Sequence, residues 1–309
     1  MRRQDRGHCH IAPERDYDPM RFAVMALAAA WVFTPCAALA WGDEGHEIVA
    51  AIAHDQLTPF AKVWVDHLLA EDTGPDMLSQ ATWADGSVVA GHPQTAQWHF
   101  VDIELGAPDM AAACHGSPAA SGPASAGPAD DCIVDKLNAF EDELANASTP
   151  EPERILALKY ILNLVGDIHQ PLHVSDHHDR HGQCVTVSIR GRRRLSLYAY
   201  WETVVLEPLG RDPLAAAHRL EAQITPARKA AWRKGTPADW ARESYGVARS
   251  VAYAGGSQPG CPTGAAPITL SSAYQARAQA AARVQLEKAG VRLAAVLNRS
   301  AASASAVMR

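Results

Sequence analysis

The chain has 309 residues, 48% of them hydrophobic and 20% charged. That is enough apolar sequence for one or two buried cores, and it excludes a disordered or collagen-like polymer. With 28 basic against 34 acidic residues the net charge is −6, so no bulk positive field holds a polyanion. Any phosphate must be gripped locally, by an ion or a few side chains. Histidine, at 14, is in excess.

In chain order, the first element is a leader. Arg21 is followed by the apolar run Phe22 to Phe33 and then by Ala38-Leu39-Ala40, a small-x-small cleavage pattern. This predicts a secretory leader over residues 1–40, starting at Met1 or Met20, with cleavage leaving Trp41 as the first residue. The expected location is therefore secreted or periplasmic. Removing the leader takes away Cys9 and Cys36. Cys114, Cys132, Cys184 and Cys261 remain, an even set that predicts two disulfides in an exported chain. Three connectivities are open. Cys114 with Cys132 is the most natural local pair, which leaves Cys184 with Cys261. No C-x-x-C spacing suggests a thiolate metal site.

Helical periodicity dominates the rest. Apolar Ile48, Val49, Ile52 and Ala53 predict a helix over 45–56. Thr58-Pro59 reads as an N-cap with proline at the first helical position, opening a helix to about Leu69. The Gly/Ala/Ser/Pro-rich stretch 105–130 reads as a surface loop. Helices follow over 131–145 and 151–165, the second apolar on one side, with Pro171 ending or kinking it. Alternation from Cys184 to Tyr198 around Arg190–Arg194 predicts a short β-hairpin near 184–198 whose basic tip faces solvent. Helices resume from Tyr200, over 214–224, 239–253 and 270–297, with fraying after Asn298 and a disordered tail over 301–309. The fold class is mainly α, a single-domain helical bundle over 41–300.

Four short blocks interleave histidine and carboxylate with aromatic and turn residues. They are Trp41-Gly42-Asp43-Glu44-Gly45-His46, Trp83-Ala84-Asp85, Trp98-His99-Phe100-Val101-Asp102 and Gly166-Asp167-Ile168-His169-Gln170-Pro171-Leu172-His173. Imidazole nitrogen and carboxylate oxygen are the usual ligands of hydrolytic zinc, and a carboxylate can bridge two ions.

In their order and spacing the blocks resemble the zinc-dependent S1/P1 nuclease family, which is mainly α-helical and similar in fold to bacterial phospholipase C; the chain resembles a divergent bacterial-type member. The resemblance implies three zinc ions. One is expected at Trp41 (α-amino group and main-chain oxygen), His46 and Asp167, and a second at Asp85, His99 and Asp167. A third is expected at His173 with two later residues. It further implies a water whose pKa zinc lowers attacking phosphorus, with Asp85 as the catalytic residue that orients or deprotonates it. Phe100 and Asp102 match the base-stacking and base-hydrogen-bonding positions.

The chain departs from that pattern at the site itself. A ligand histidine four residues before Asp167 is replaced by Asn163. Another is replaced by Tyr198, and a ligand aspartate by Glu202. An arginine three residues after Asp85 is replaced by Val88. Asn163 and Tyr198 ligate zinc poorly, whereas Glu202 keeps charge and oxygen ligation. One or two ions are therefore expected in place of three. His177, His178 and His181 lie nearby in sequence and could supply substitute nitrogen ligands; the blander expectation is a solvated loop. The implied function is a monomeric, exported, zinc-dependent endonuclease. It would hydrolyse single-stranded DNA and RNA to 5′-phosphorylated products, with no stable membrane partner. The alternative is a metal-poor, weakly active or inactive relative that binds nucleotides without turnover.

Overall fold

In the computed structural model the described residues are 41–72, 76–89, 91–114, 122–189 and 193–307. The leader and the choice of start lie outside them, as do hairpin-tip residues 190–192 and the side chains of Val88 and Arg193.

The helix that carries the G-D motif is the axis of the fold. Its apolar stripe (Ile155, Leu158, Ile161, Leu162, Val165) predicts burial of one side only. The structure instead buries every residue from Ala157 to Asp167. The reason is its surroundings. α1 (Gly42–Asp55), α2 (Pro59–Ala70), α3 (Trp83–Val89) and α5 (Ile133–Ala145) all pack on this central helix, α6 (Glu151–Asp167), as does the C-terminal α11 (Ser272–Val307). Polar Asn163 and Asp167 therefore lie at the centre of the protein, and each must find a partner there.

α1 begins earlier than the periodicity predicts because Trp41, fully buried in a left-handed conformation (φ 41°), turns the chain into it. α2 starts as expected, with Thr58 accepting from the Ala61 amide at 3.2 Å and Pro59 in the first turn. The loop after residue 105 contains a short α4 (Met110–Ala113) and a 3-10 turn at Ala124–Ala126. Cys114 and Cys132 are bonded across it, and Cys184 is bonded to Cys261.

The predicted hairpin forms, with β1 (Thr186–Ile189) antiparallel to β2 (Arg193–Ser196) and Val187 opposite Leu195. It ends two residues sooner than expected. The Ser196 hydroxyl accepts from the Ala199 amide at 3.0 Å and starts α7 (Leu197–Glu202), so Tyr198 is helical. A third strand, β3 (Ile268–Leu270), pairs parallel to the other edge of β1. Three residues are too short for a periodic signal, and of these only Leu270 falls within the expected last helix, over 270–297. α8 (Pro213–Glu221) and α10 (Pro237–Ser250) match expected helices, whereas α9 (Pro226–Trp232) was not expected.

As far as Val307 the tail is also corrected, residues 308–309 lying outside the described residues. α11 runs through Asn298 to Val307 and buries Ala301 and Ala304, because the Asn298 amide clamps the α1–α2 turn. It accepts from Thr58 N at 2.8 Å and donates to Gln56 O at 3.2 Å. The mainly α reading of the fold holds. No helix among the described residues is long and apolar enough to cross a membrane.

α1 and α11 approach closely where Gly290 faces Ile52. A Cβ at position 290 would lie 2.5 Å from Ile52 Cγ2 and 2.6 Å from its Cβ. Alanine is intrinsically the better helix former by about 1 kcal/mol. Overpacking nevertheless dominates, and Gly290→Ala is expected to cost about 1–3 kcal/mol. Urea unfolding tests this; equal or greater stability would show that the helices can part at no cost.

Candidate metal centre

Four elements converge on Asp167 at the last turn of α6. α1 supplies His46, α3 supplies Asp85 in its first turn, and a 3-10 turn at Pro93–His99 ends on His99. All four side chains are buried. Asp85, His99 and Asp167 offer ligand atoms that lie within 4.8 Å of one another. Asp167 presents one oxygen to each imidazole: Oδ1 is 3.2 Å from His46 Nε2, and Oδ2 is 2.7 Å from His99 Nδ1. Asp85 stands opposite, Oδ2 at 3.8 Å from His46 Nε2 and Oδ1 at 3.6 Å from His99 Nδ1.

Burial opposes charge on all four groups, and their mutual contacts decide the outcome. Asp167 is held well below the usual carboxylate range, because contacts with His46 and His99 outweigh its desolvation. His46 is pushed up to about 9 by Asp167 and Asp85 against its burial, and His99 moves up for the same reasons. Asp85 is pushed up by burial and by the charge on Asp167, against both imidazoles.

Hydrogen bonding leaves this group incomplete. His46 Nδ1 and Nε2, Asp85 Oδ1, His99 Nε2, Asn163 Oδ1 and Asp167 Oδ1 are buried without a hydrogen-bond partner. Others occur singly elsewhere, but here six such atoms lie on five neighbouring side chains. Two imidazoles and two carboxylates, with orphaned atoms among them, form a donor set that can hold a divalent metal. Gly166 makes room for it. A Cβ there would meet His46 Nδ1 at 2.6 Å and Cε1 at 2.8 Å. Gly166→Ala is expected to displace the His46 ring and weaken zinc binding about 10–100-fold, the usual cost of disturbing a ligand's support. Calorimetric zinc titration measures this; unchanged affinity would mean that His46 takes no part.

Asn163, where the resemblance implies a ligand, donates through Nδ2 to Asp85 Oδ2 at 2.7 Å and to Ala81 O at 3.0 Å. It orients Asp85. Trp41 is anchored beside the centre, its indole donating to Gly166 O at 3.0 Å.

The 3-10 turn Pro171–Val174 brings His173 close by, but its surroundings differ. Nδ1 lies 2.9 Å from His99 O, and Nε2 lies 2.9 Å from the Tyr198 hydroxyl. Burial pushes His173 down to about 4. Glu202 is pushed well above its ordinary value by burial. It accepts from Gln170 Nε2 at 2.6 Å and from Gly42 N at 3.4 Å. Sequence reasoning missed Gln170, which also caps the His173 turn by accepting from Leu172 N at 2.5 Å.

The base-stacking role expected of Phe100 is not available in this arrangement. Its ring is 6% exposed and stacks on His173 at 4.3 Å and on His181 at 4.2 Å. Two near-parallel rings that close to one centroid must lie on opposite faces, so both faces are covered. His181 is thus packed onto the site rather than loose in solvent, as the loop reading expected. Asp102 is exposed. Its Oδ2 accepts from Gln97 Nε2 at 3.1 Å, and its Oδ1 lies 3.6 Å from His181 Nε2. Asp102 can still meet a ligand.

A family model described as S1/P1 Nuclease matches residues 41–302. Among curated proteins, the chain is 27% identical to Endonuclease 2 of Arabidopsis thaliana, over 89% of this chain and 96% of that protein. It is 25% identical to Nuclease S1 of Aspergillus oryzae, over 84% of this chain and 91% of that one. Nuclease P1 of Penicillium citrinum is 23% identical, over 84% and 97% respectively.

Proposed function

Since the chain belongs to the S1/P1 nuclease family, and so to enzymes that hydrolyse phosphodiester bonds in nucleic acids, we propose that it is a zinc-dependent endonuclease acting on single-stranded DNA and RNA. The observation that carries this reading is the cluster of orphaned imidazole and carboxylate atoms around Asp167. His46, Asp85, His99 and Asp167 would hold the metal. Trp41, anchored beside them through its indole, would add its α-amino group once the leader is cut before it. Zinc in such a site supplies Lewis acidity toward a phosphoryl oxygen and makes water a nucleophile at neutral pH.

The chain's own residues do the rest. Asp167 faces an imidazole with each oxygen, which supports a role in which it would serve two ions at once. Asp85 is fixed at Oδ2 by the Asn163 amide and keeps Oδ1 unpartnered. That oxygen is the one to orient the attacking water and take its proton. Asp102 offers its carboxylate to a nucleobase edge. The acidic chain then needs no basic surface, because metal supplies the positive charge where phosphate binds. Two disulfides and the leader pattern support export, secreted or periplasmic.

Asn163 and Tyr198 favour a second reading, a relative that binds nucleotides without turnover. Incubating the zinc-loaded protein with single-stranded and duplex oligonucleotides separates the two. Cleavage of single strands with 5′-phosphate ends is expected. Nucleotide binding without cleavage would establish the second reading instead.

A further inference from the structure

The buried donors at this centre fall into two sets. Around Asp167 the candidate ligands carry unpartnered atoms: both nitrogens of His46, His99 Nε2, Asp85 Oδ1 and Asp167 Oδ1. At His173 and Glu202 every polar side-chain atom already has a partner within the protein. His173 Nδ1 faces His99 O, which only accepts, so Nδ1 carries the ring proton. Nε2 is then the bare lone pair a metal would need, and the Tyr198 hydroxyl donates into it at 2.9 Å. Glu202 Oε1 is engaged by Gln170 and Oε2 by Gly42 N. The His173 ring is also held between Phe100, stacked at 4.3 Å, and Tyr198 at 5.7 Å, which leaves it little freedom to turn.

We infer that the His173–Glu202 position is metal-free in this chain, with the Tyr198–His173 hydrogen bond standing where an ion would otherwise join the two side chains. The metal centre is confined to the donors around Asp167, namely His46, Asp85, His99 and Asp167, joined by the Trp41 α-amino group once the leader is cut. A protonated phenol is a donor and not a ligand, so an ion entering here would have to break this hydrogen bond. The positioning role passes to the protein: Tyr198 fixes the His173 ring, and the His173 turn in turn buttresses the main chain at His99.

The inference rests on the proposed metal dependence, and one experiment tells their failures apart. The purified protein, stripped with chelator and reloaded with excess zinc, is dialysed and its bound zinc counted per chain. One or two ions are expected, with one more in the double variant Tyr198→His, Glu202→Asp. Three ions in the wild type would overturn the inference and leave metal dependence standing. No bound zinc would overturn the metal dependence, and with it the assignment of the Asp167 donors as the metal centre. Should the double variant fail to fold, histidine ¹⁵N spectra of the wild type decide. On zinc saturation the His46 and His99 ring nitrogens should shift while those of His173 keep their Nδ1-protonated pattern. A zinc-induced shift at His173 Nε2 would contradict the inference.

Discussion

Replacing Asp167 by alanine is expected to empty the metal centre and lower nuclease activity by at least about a hundredfold to a thousandfold, the scale seen when one preorganised electrostatic group is lost from an active site. The reason is geometric. Asp167 Oδ1 stands 3.2 Å from His46 and Oδ2 2.7 Å from His99, so one side chain serves both halves of the donor set. Asp85 also presents one oxygen to each imidazole, but only at 3.6 and 3.8 Å. Counting zinc in each variant distinguishes them. Asp85→Ala should lose one ion and Asp167→Ala all of them. Equal losses would contradict the bridging role. Asp167→Asn, which keeps shape and removes charge, controls for misfolding.

Arg292→Met is the second substitution expected to act strongly, and it lies outside every motif. Arg292 projects from α11 and is nearly inaccessible. Nη1 donates to His169 Nε2 at 2.8 Å, Nη2 reaches both Glu243 oxygens at 3.0 and 2.9 Å, and Nε donates to Trp232 O at 3.2 Å. His169 completes the link by hydrogen bonding to Val165 O at 2.7 Å through Nδ1. Burial, then the Arg292 charge, holds His169 well below its ordinary value, which keeps it neutral as this arrangement requires. Glu243 is 42% exposed, so its ion pair adds little. The main cost is the buried His169 acceptor, and Trp232 O, left without their donor, about 1–3 kcal/mol, and the loss also loosens the main chain between Asp167 and His173. Denaturant unfolding should show that loss, and Arg292→Lys should recover only part of it, since lysine cannot make the forked contact. A loss below about 1 kcal/mol would fall within the range of a surface pair and would contradict the anchoring role.

The motif blocks were legible because chemistry and turn residues coincide in them: Gly45 and Gly166 make room for Trp41 and His46, and Pro171 forces the turn that presents His173. The Cys114–Cys132 disulfide and the hairpin followed from local spacing, whereas Cys184–Cys261, 77 residues apart, was only the pair left over. What was not legible lies across long separations. Nothing local marks Asn163 as the clamp on Asp85, Gln170 as the partner of Glu202, or Arg292 as the support of His169, since each meets its partner only after packing. Phe100 shows the opposite failure. Its motif position pointed to base stacking, but residues far along the chain, His173 and His181, cover both faces. The one-sided pattern of α6 misled for a related reason: a central helix tolerates polar residues when a functional centre receives them.

The central claim is that the donors around Asp167 hold the metal on which hydrolysis depends. The most direct test strips the purified protein with chelator and measures cleavage of single-stranded DNA as zinc is returned. Activity should vanish on stripping and return in proportion to zinc bound, with no return in Asp167→Ala. Full cleavage by the zinc-free protein would contradict the account.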